Sequence, residues 1–261
     1  MPRLPDGQLT FAAGHLLAAT SYGPSPLWYT ARATGVVALI LLTIAVALGV
    51  AGTARLSTDL LPAIVRSGLH RNVSLLAVAF IAVHVLSSVL DPYAGIKLTS
   101  AVVPFSSDYR PFWLSLGAIA FDMLLALILT SLLRSRLPYR VWRAVHWSGY
   151  ACWPVALWHG LGTGTDSRLS WLLLLEGGCA MVVAGAVAWR LNLAAEDPVR
   201  RSLVRAAGLA GMAAFALATV VFVALGPLQP GWARRAGTPA SMLGSAHPAP
   251  AGTPGQTGAS R

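Results

Sequence analysis

Four histidines stand in strongly apolar sequence as two pairs: His70 and His84, 14 residues apart, and His146 and His159, 13 apart. An α-helix rises about 1.5 Å and turns about 100° per residue, so the first pair is separated by about 21 Å and shares one face to within about 40°. The second pair is separated by about 19.5 Å. Two helices carrying histidines at matched depths can bring four imidazoles together at two levels. Neutral imidazole is a strong ligand for heme iron, and one on each side saturates the iron for electron transfer. By depth, His70 pairs with His146 and His84 with His159. A histidine in an apolar span can also bond a neighbouring helix or line a cavity, but ionisable groups at such depth are costly and point to function.

The second spacing raises a geometric problem. Thirteen residues of ideal helix turn His146 and His159 about 140° apart. Pro154 lies between them and removes a backbone hydrogen bond, so bending or unwinding there is the expected remedy. Arg66, Arg71 and Arg143 lie within about one turn of His70 or His146. Arginine binds carboxylates bidentately, which makes these three candidates for the propionates of a heme. The same residues also suit a topology signal and contact with lipid headgroups. Asp122 and Glu176 fall inside apolar runs, where a carboxyl must be protonated, paired or beside water. A proton path and a hydrogen bond to a neighbouring helix both fit them.

The elements that must position these residues are membrane spans. Of 261 residues, 56% are hydrophobic and 11% charged, whereas a soluble domain carries about a quarter charged residues. Six runs reach the length of about 20 residues that a bilayer requires: 33–53, 69–90, 111–133, 141–161, 169–191 and 203–225. Trp28, Tyr29, Trp113, Tyr139, Trp142 and Trp171 mark their ends as interfacial aromatics do. The net charge of +10 sits in arginines between the runs, which points to orientation in lipid and not to nucleic acid. Cys152 and Cys179 lie within runs and read as small buried hydrophobes.

Orientation follows from the basic residues. The connections after the first, third and fifth runs hold eleven: Arg55, Arg66, Arg71, Arg134, Arg136, Arg140, Arg143, Arg190, Arg200, Arg201 and Arg205. Those after the second and fourth hold three: Lys97, Arg110 and Arg168. The arginine-rich connections are therefore expected in the cytoplasm and both termini outside. The second and fourth runs then point the same way, with His70 and His146 near the cytoplasmic face and His84 and His159 near the outer one. The chain divides into an extracytoplasmic leader (1–27, with a solvated His15), a five-helix heme-binding core (28–191), a cytoplasmic connection with a sixth span (192–225), and a tail (226–261). The tail is rich in Pro, Gly and Ala and reads as unable to bury enough surface to fold; His247 within it is assigned no role. The connection 91–110 carries an apolar piece, 101–105, suited to lie along the interface above the outer histidines.

These residues resemble the ferric reductase-like transmembrane domain, shared by ferric reductases, NADPH oxidases and the heme membrane subunit of bacterial methionine sulfoxide reductase systems. The resemblance covers about residues 27–191. It rests on Leu69-His70-Arg71 followed by His84, and on Trp142-Arg143-Ala144-Val145-His146 followed by His159-Gly160. The family's 14- and 13-residue spacings are both present. Residues 24–35 and 159–164 are similar to small actinobacterial members. The resemblance implies two b-type hemes ligated by His70, His84, His146 and His159. The chain contains neither a His-Pro-Phe-Ser/Thr flavin motif nor a glycine-rich dinucleotide loop, so no FAD or NAD(P)H site is expected.

The expectation is thus an all-α, six-helix membrane bundle with two hemes between the second and fourth helices. It would sit in the plasma membrane as an electron-transfer subunit, drawing on a separate flavin reductase or quinol and serving an extracytoplasmic redox partner. Two other readings stand beside it. One is direct reduction of ferric iron at the outer face. The other is a heme-free transporter or assembly protein whose histidines serve protons or metal.

Overall fold

The computed structural model describes residues 25–53, 63–164, 166–192 and 198–243, and the regular structure among them is helical. The longer helices are α1 (Pro26–Thr53), α2 (Ala63–Leu90), α3 (Pro111–Leu132), α4 (Tyr139–Trp147), α5 (Gly149–Thr163), α6 (Ser170–Asn192) and α7 (Pro198–Leu225). Two short helices follow, α8 (Trp232–Arg235) and α9 (Ala240–Leu243), and a 3₁₀ turn occupies Leu98–Ala101. Five helices, α1, α2, α3, α6 and α7, are long and apolar enough to cross a membrane. Helix is the natural state for such segments, because it satisfies every interior backbone group within the segment itself. Side chains such as Leu75, Leu86, Leu203 and Leu217 remain exposed along α2 and α7, as they must where the solvent is lipid.

The fourth expected run differs from the other five. It is broken at Ser148 into the nine-residue α4 and the fifteen-residue α5. Alone, α5 covers roughly 22 Å, short of a hydrocarbon core of about 30 Å. The break is not at Pro154, which lies inside α5. The chain tightens instead at Ser148, whose N–H donates to Val145 O at 2.9 Å, a 3₁₀-type bond, and Gly149 follows at once. The change of phase between the two histidines is thus made immediately after His146.

Packing is centred on α1. It runs along α2 and also touches α5 and α6, while α3 packs along α5 and α7 attaches to α6. The largest buried cluster joins Leu39 of α1, Trp153, Leu157 and Leu161 of α5, and Cys179 and Val183 of α6. Trp153 Nε1 donates to Thr43 Oγ1 at 2.9 Å, so the one polar group of that ring is satisfied in the core. Along the backbone α2 makes no comparably close contact with α4 or α5; histidine rings meet between them.

Beyond Leu225 the chain does not behave as its composition suggests. Residues 226–243 fold back on the bundle, with Trp232 packed against Trp113 (centroids 5.5 Å apart) and Phe222 (5.7 Å). Arg110 holds the same segment, its N–H donating to Gly237 O at 3.0 Å and its Nε to Thr238 Oγ1 at 2.9 Å. One large aromatic and one buried arginine thus anchor a stretch otherwise poor in apolar side chains. The leader through residue 24 with His15, Arg55 in the first connection, residues 193–197, and the end of the tail from 244 with His247 lie outside the described residues.

Candidate functional site

The four histidines meet in the two expected pairs. The rings of His70 and His146 have centroids 6.4 Å apart with planes at 74°, and those of His84 and His159 are 6.2 Å apart at 82°. A metal–imidazole bond is about 2.0–2.1 Å long and the ring centre lies roughly 1.1 Å beyond the nitrogen, so one ion between two coaxial rings sets the centres about 6.3 Å apart. Both pairs have that separation. The residues present therefore fit an iron between each pair.

Three of the histidines are held in the same way. His84 Nδ1 bonds Ala31 O at 2.6 Å, His70 Nδ1 bonds Ala45 O at 3.0 Å, and His159 Nδ1 bonds Trp113 O at 2.9 Å. A carbonyl only accepts, so the proton resides on Nδ1 and the Nε2 lone pair is left for a metal. A helical carbonyl is approached past the side chain one turn further on, and here that residue is glycine each time: Gly35, Gly49 and Gly117. A Cβ at Gly117 would stand 2.5 Å from His159 Nδ1, and one at Gly35 would stand 3.0 Å from His84 Nδ1. At Gly49 it would be 3.5 Å from His70 Cε1, an ordinary contact. Gly117 therefore makes space that no other residue could provide without a shift of the ring, and at Gly35 a Cβ would need the ring to give by a few tenths of an ångström.

His146 is held differently. Its Nδ1 is buried with no partner among the described residues. Its ring stacks on Trp142 (centroids 4.8 Å, planes 18°), which lies one turn earlier on α4 and carries the Arg134 guanidinium 4.5 Å from its own centroid.

The second pair borders a cavity of about 680 Å³, a size suited to a cofactor. Its lining includes the apolar Leu39, Ala118, Phe121, Leu124 and Ala156, and the polar Arg32, Asp166, Ser100 and Tyr109. Arg32 Nε donates to Asp166 Oδ2 within that lining. The connection between α2 and α3 lines the same cavity as these histidines, through Ile96, Ser100, Ala101 and Tyr109. Within the piece 101–105, Val102, Val103 and Phe105 stay exposed. Burial pushes the Tyr109 phenol above its usual value, and its hydroxyl donates to Thr163 O at 3.5 Å.

The three candidate arginines separate. Arg66 is buried, with Nε 4.0 Å from where a Cβ on Gly52 would lie, so it turns inward between α1 and α2 near His70. Arg71 and Arg143 are exposed, which suits headgroups better than a buried carboxylate. Asp122 is half-buried on α3. Glu176 is buried, lines the cavity, and keeps Oε2 without a partner among the described residues.

Sequence reasoning missed the holders. Gly35 and Gly49 are 14 residues apart, as are Ala31 and Ala45, and both intervals repeat that of His70 and His84. That echo between the first and second runs was the available signal. Arg32, Asp166 and Tyr109 carried none beyond their place near a run's end.

Residues 31–157 match the family model for the ferric reductase like transmembrane component, and this stretch is a ferric reductase-like transmembrane domain. It contains His70, His84 and His146 and ends two residues before His159. No curated protein and no solved structure matches the chain.

Proposed function

We propose that the chain is a transmembrane electron carrier in which His70 with His146, and His84 with His159, ligate two b-type hemes. The observation that supports this most directly is the pair of ring separations, 6.4 and 6.2 Å, each of the length one iron sets. Among the described residues no third His, Cys, Asp or Glu joins either pair. Two-residue donor sets suit an ion whose remaining ligands come from a porphyrin, and they do not suit the three or four protein ligands of a zinc site. When bound, heme supplies one-electron chemistry at a six-coordinate iron, at two levels about 21 Å apart along α2.

The chain's own residues divide the remaining work. The carbonyls of Ala31, Ala45 and Trp113 fix three imidazoles in the ligating tautomer. Leu39, Phe121 and Leu124 keep water from the second site. Arg66 offers a buried cation to a propionate near His70, and Arg71 and Arg143 add positive charge at that face. In this reading α4 and α5 together make one crossing, giving six. The arginine-rich connections lie on the cytoplasmic side of the plasma membrane, both termini lie outside, and His70 and His146 form the inner site. A separate flavin reductase or quinol serves as donor, and an extracytoplasmic partner as acceptor.

Reconstitution tests the reading. Vesicles carrying the protein, loaded with ferricyanide and treated outside with dithionite, should reduce the trapped oxidant far faster than protein-free vesicles. His70→Ala and His84→Ala should each abolish the gain. Equal rates with and without the wild-type protein would contradict the proposal.

A further inference from the structure

The cavity beside His84 and His159 is polar at one end, and the chain's own contacts place that end. Arg32 lies in the second turn of α1, Tyr109 in the connection between α2 and α3, and Asp166 just after α5. Arg32 bonds Asp166, and Trp28, one turn before Arg32, meets the Tyr109 ring at 5.9 Å. Helices α1 and α5 run antiparallel from there, since Trp153 bonds Thr43 further along. Leu39, Leu124 and Cys152 line the cavity about two turns or more from these polar residues along their helices. A heme has the same asymmetry, an apolar plate with two carboxylates on one edge. Among the described residues Arg32 is the one Lys or Arg in this lining. It stands one residue beyond Ala31, whose carbonyl holds His84 Nδ1 at 2.6 Å. Its side chain is 17% exposed and that of Asp166 46%, so the cation is the inward member of the pair. The carboxylate takes Nε, and a guanidinium carries four further N–H donors on its two Nη atoms.

We propose that Arg32 binds a propionate of the heme held by His84 and His159, and that Asp166 shares its charge. This rests on the heme reading above. A carboxylate drawn into a largely apolar cavity is costly unless a cation meets it, and arginine does so with two parallel hydrogen bonds. The other charged groups of the lining, Asp166 and Glu176, are acids and repel a propionate. Arg32 therefore decides which edge of the macrocycle faces the start of α1. Its positive charge also favours the added electron, so it raises the reduction potential of this heme, and Asp166 offsets part of that rise. The sequence gives the matching cation of the inner site to a different helix, with Arg66 on α2.

The test is a redox titration with resonance Raman spectroscopy on purified protein in a His70→Ala background, where the one expected heme is that of His84 and His159. Arg32→Gln should move the reduction equilibrium about tenfold toward ferric iron, a potential lower by about 59 mV for one electron. It should also shift the propionate bending band. Arg32→Lys keeps the charge without the fork and should fall between Arg32→Gln and the parent. Asp166→Asn breaks the same ion pair but leaves the cation, so it should keep the heme and raise the potential. Loss of heme in Arg32→Gln with retention in Asp166→Asn would equally support the inference. An Arg32→Gln potential and band equal to the parent's would overturn it. So would heme loss, or a lowered potential, of the same size in Arg32→Gln and Asp166→Asn, because the ion pair alone would then account for both. Wild-type or parent protein that binds no heme would instead overturn the underlying reading, so the two failures are separate.

Discussion

At the scale of single residues, the site is built from what is absent. Where a ring nitrogen reaches a helical carbonyl, the residue one turn on is glycine: a Cβ would clash with the ring at Gly117, crowd it at Gly35 and make ordinary contact at Gly49. Replacing glycine by alanine within a helix favours folding by about 0.5–1 kcal/mol, so damage from such a change reports on the site and not on the helix. Gly117→Ala is expected to lose the heme of His84 and His159 while keeping the other, halving the heme-to-protein ratio. Gly35→Ala should weaken the same site, and Gly49→Ala should leave the ratio unchanged. Pyridine hemochrome assay against protein concentration measures all three. The histidines themselves were legible, because few polar side chains occur in those runs and depth alone pairs them. Their holders were not, because a backbone carbonyl has no residue identity and shows only through the spacing of the glycines beside it.

At the scale of elements, the break between α4 and α5 follows His146 and the clamp around Arg110 holds the chain just past His159. Proline drew attention to position 154, yet the turn that rephases the helix is at Ser148, where a 3₁₀ bond precedes a glycine. Neither Ser148 nor Gly149 is a strong breaker by itself, which is why the sequence read as one continuous run. Pro154→Ala is accordingly expected to keep both hemes in the same assay. Arg110 is almost wholly buried at the start of α3. Its Nη1 donates to Gly162 O at 2.9 Å and Gly164 O at 3.3 Å, just past His159, while its Nε reaches Thr238. Arg110→Met leaves those acceptors buried and unpaired, at about 3 kcal/mol. A lower Tm in detergent, with earlier loss of the outer heme than of the inner, is the expected outcome. The fold-back of 226–243 was hidden from composition for the same reason: two anchoring side chains, Trp232 and Arg110, outweigh many small ones.

At the scale of the whole molecule, the account joins a membrane bundle of one polarity to two iron sites at two depths. Polarity is open to labelling, since Cys152 and Cys179 are buried. Ser135→Cys, beside the arginines of the α3–α4 connection, should react with an impermeant maleimide only when the cytoplasmic face is opened, and Thr99→Cys should react on intact cells. The iron sites are open to a more direct measurement, which is heme content and EPR of purified wild type beside His70→Ala and His84→Ala. The account predicts two low-spin hemes per chain, with the strongly anisotropic ferric signals that near-perpendicular axial rings produce, and one heme in each variant. Wild-type protein without heme, or variants that keep both, would contradict it.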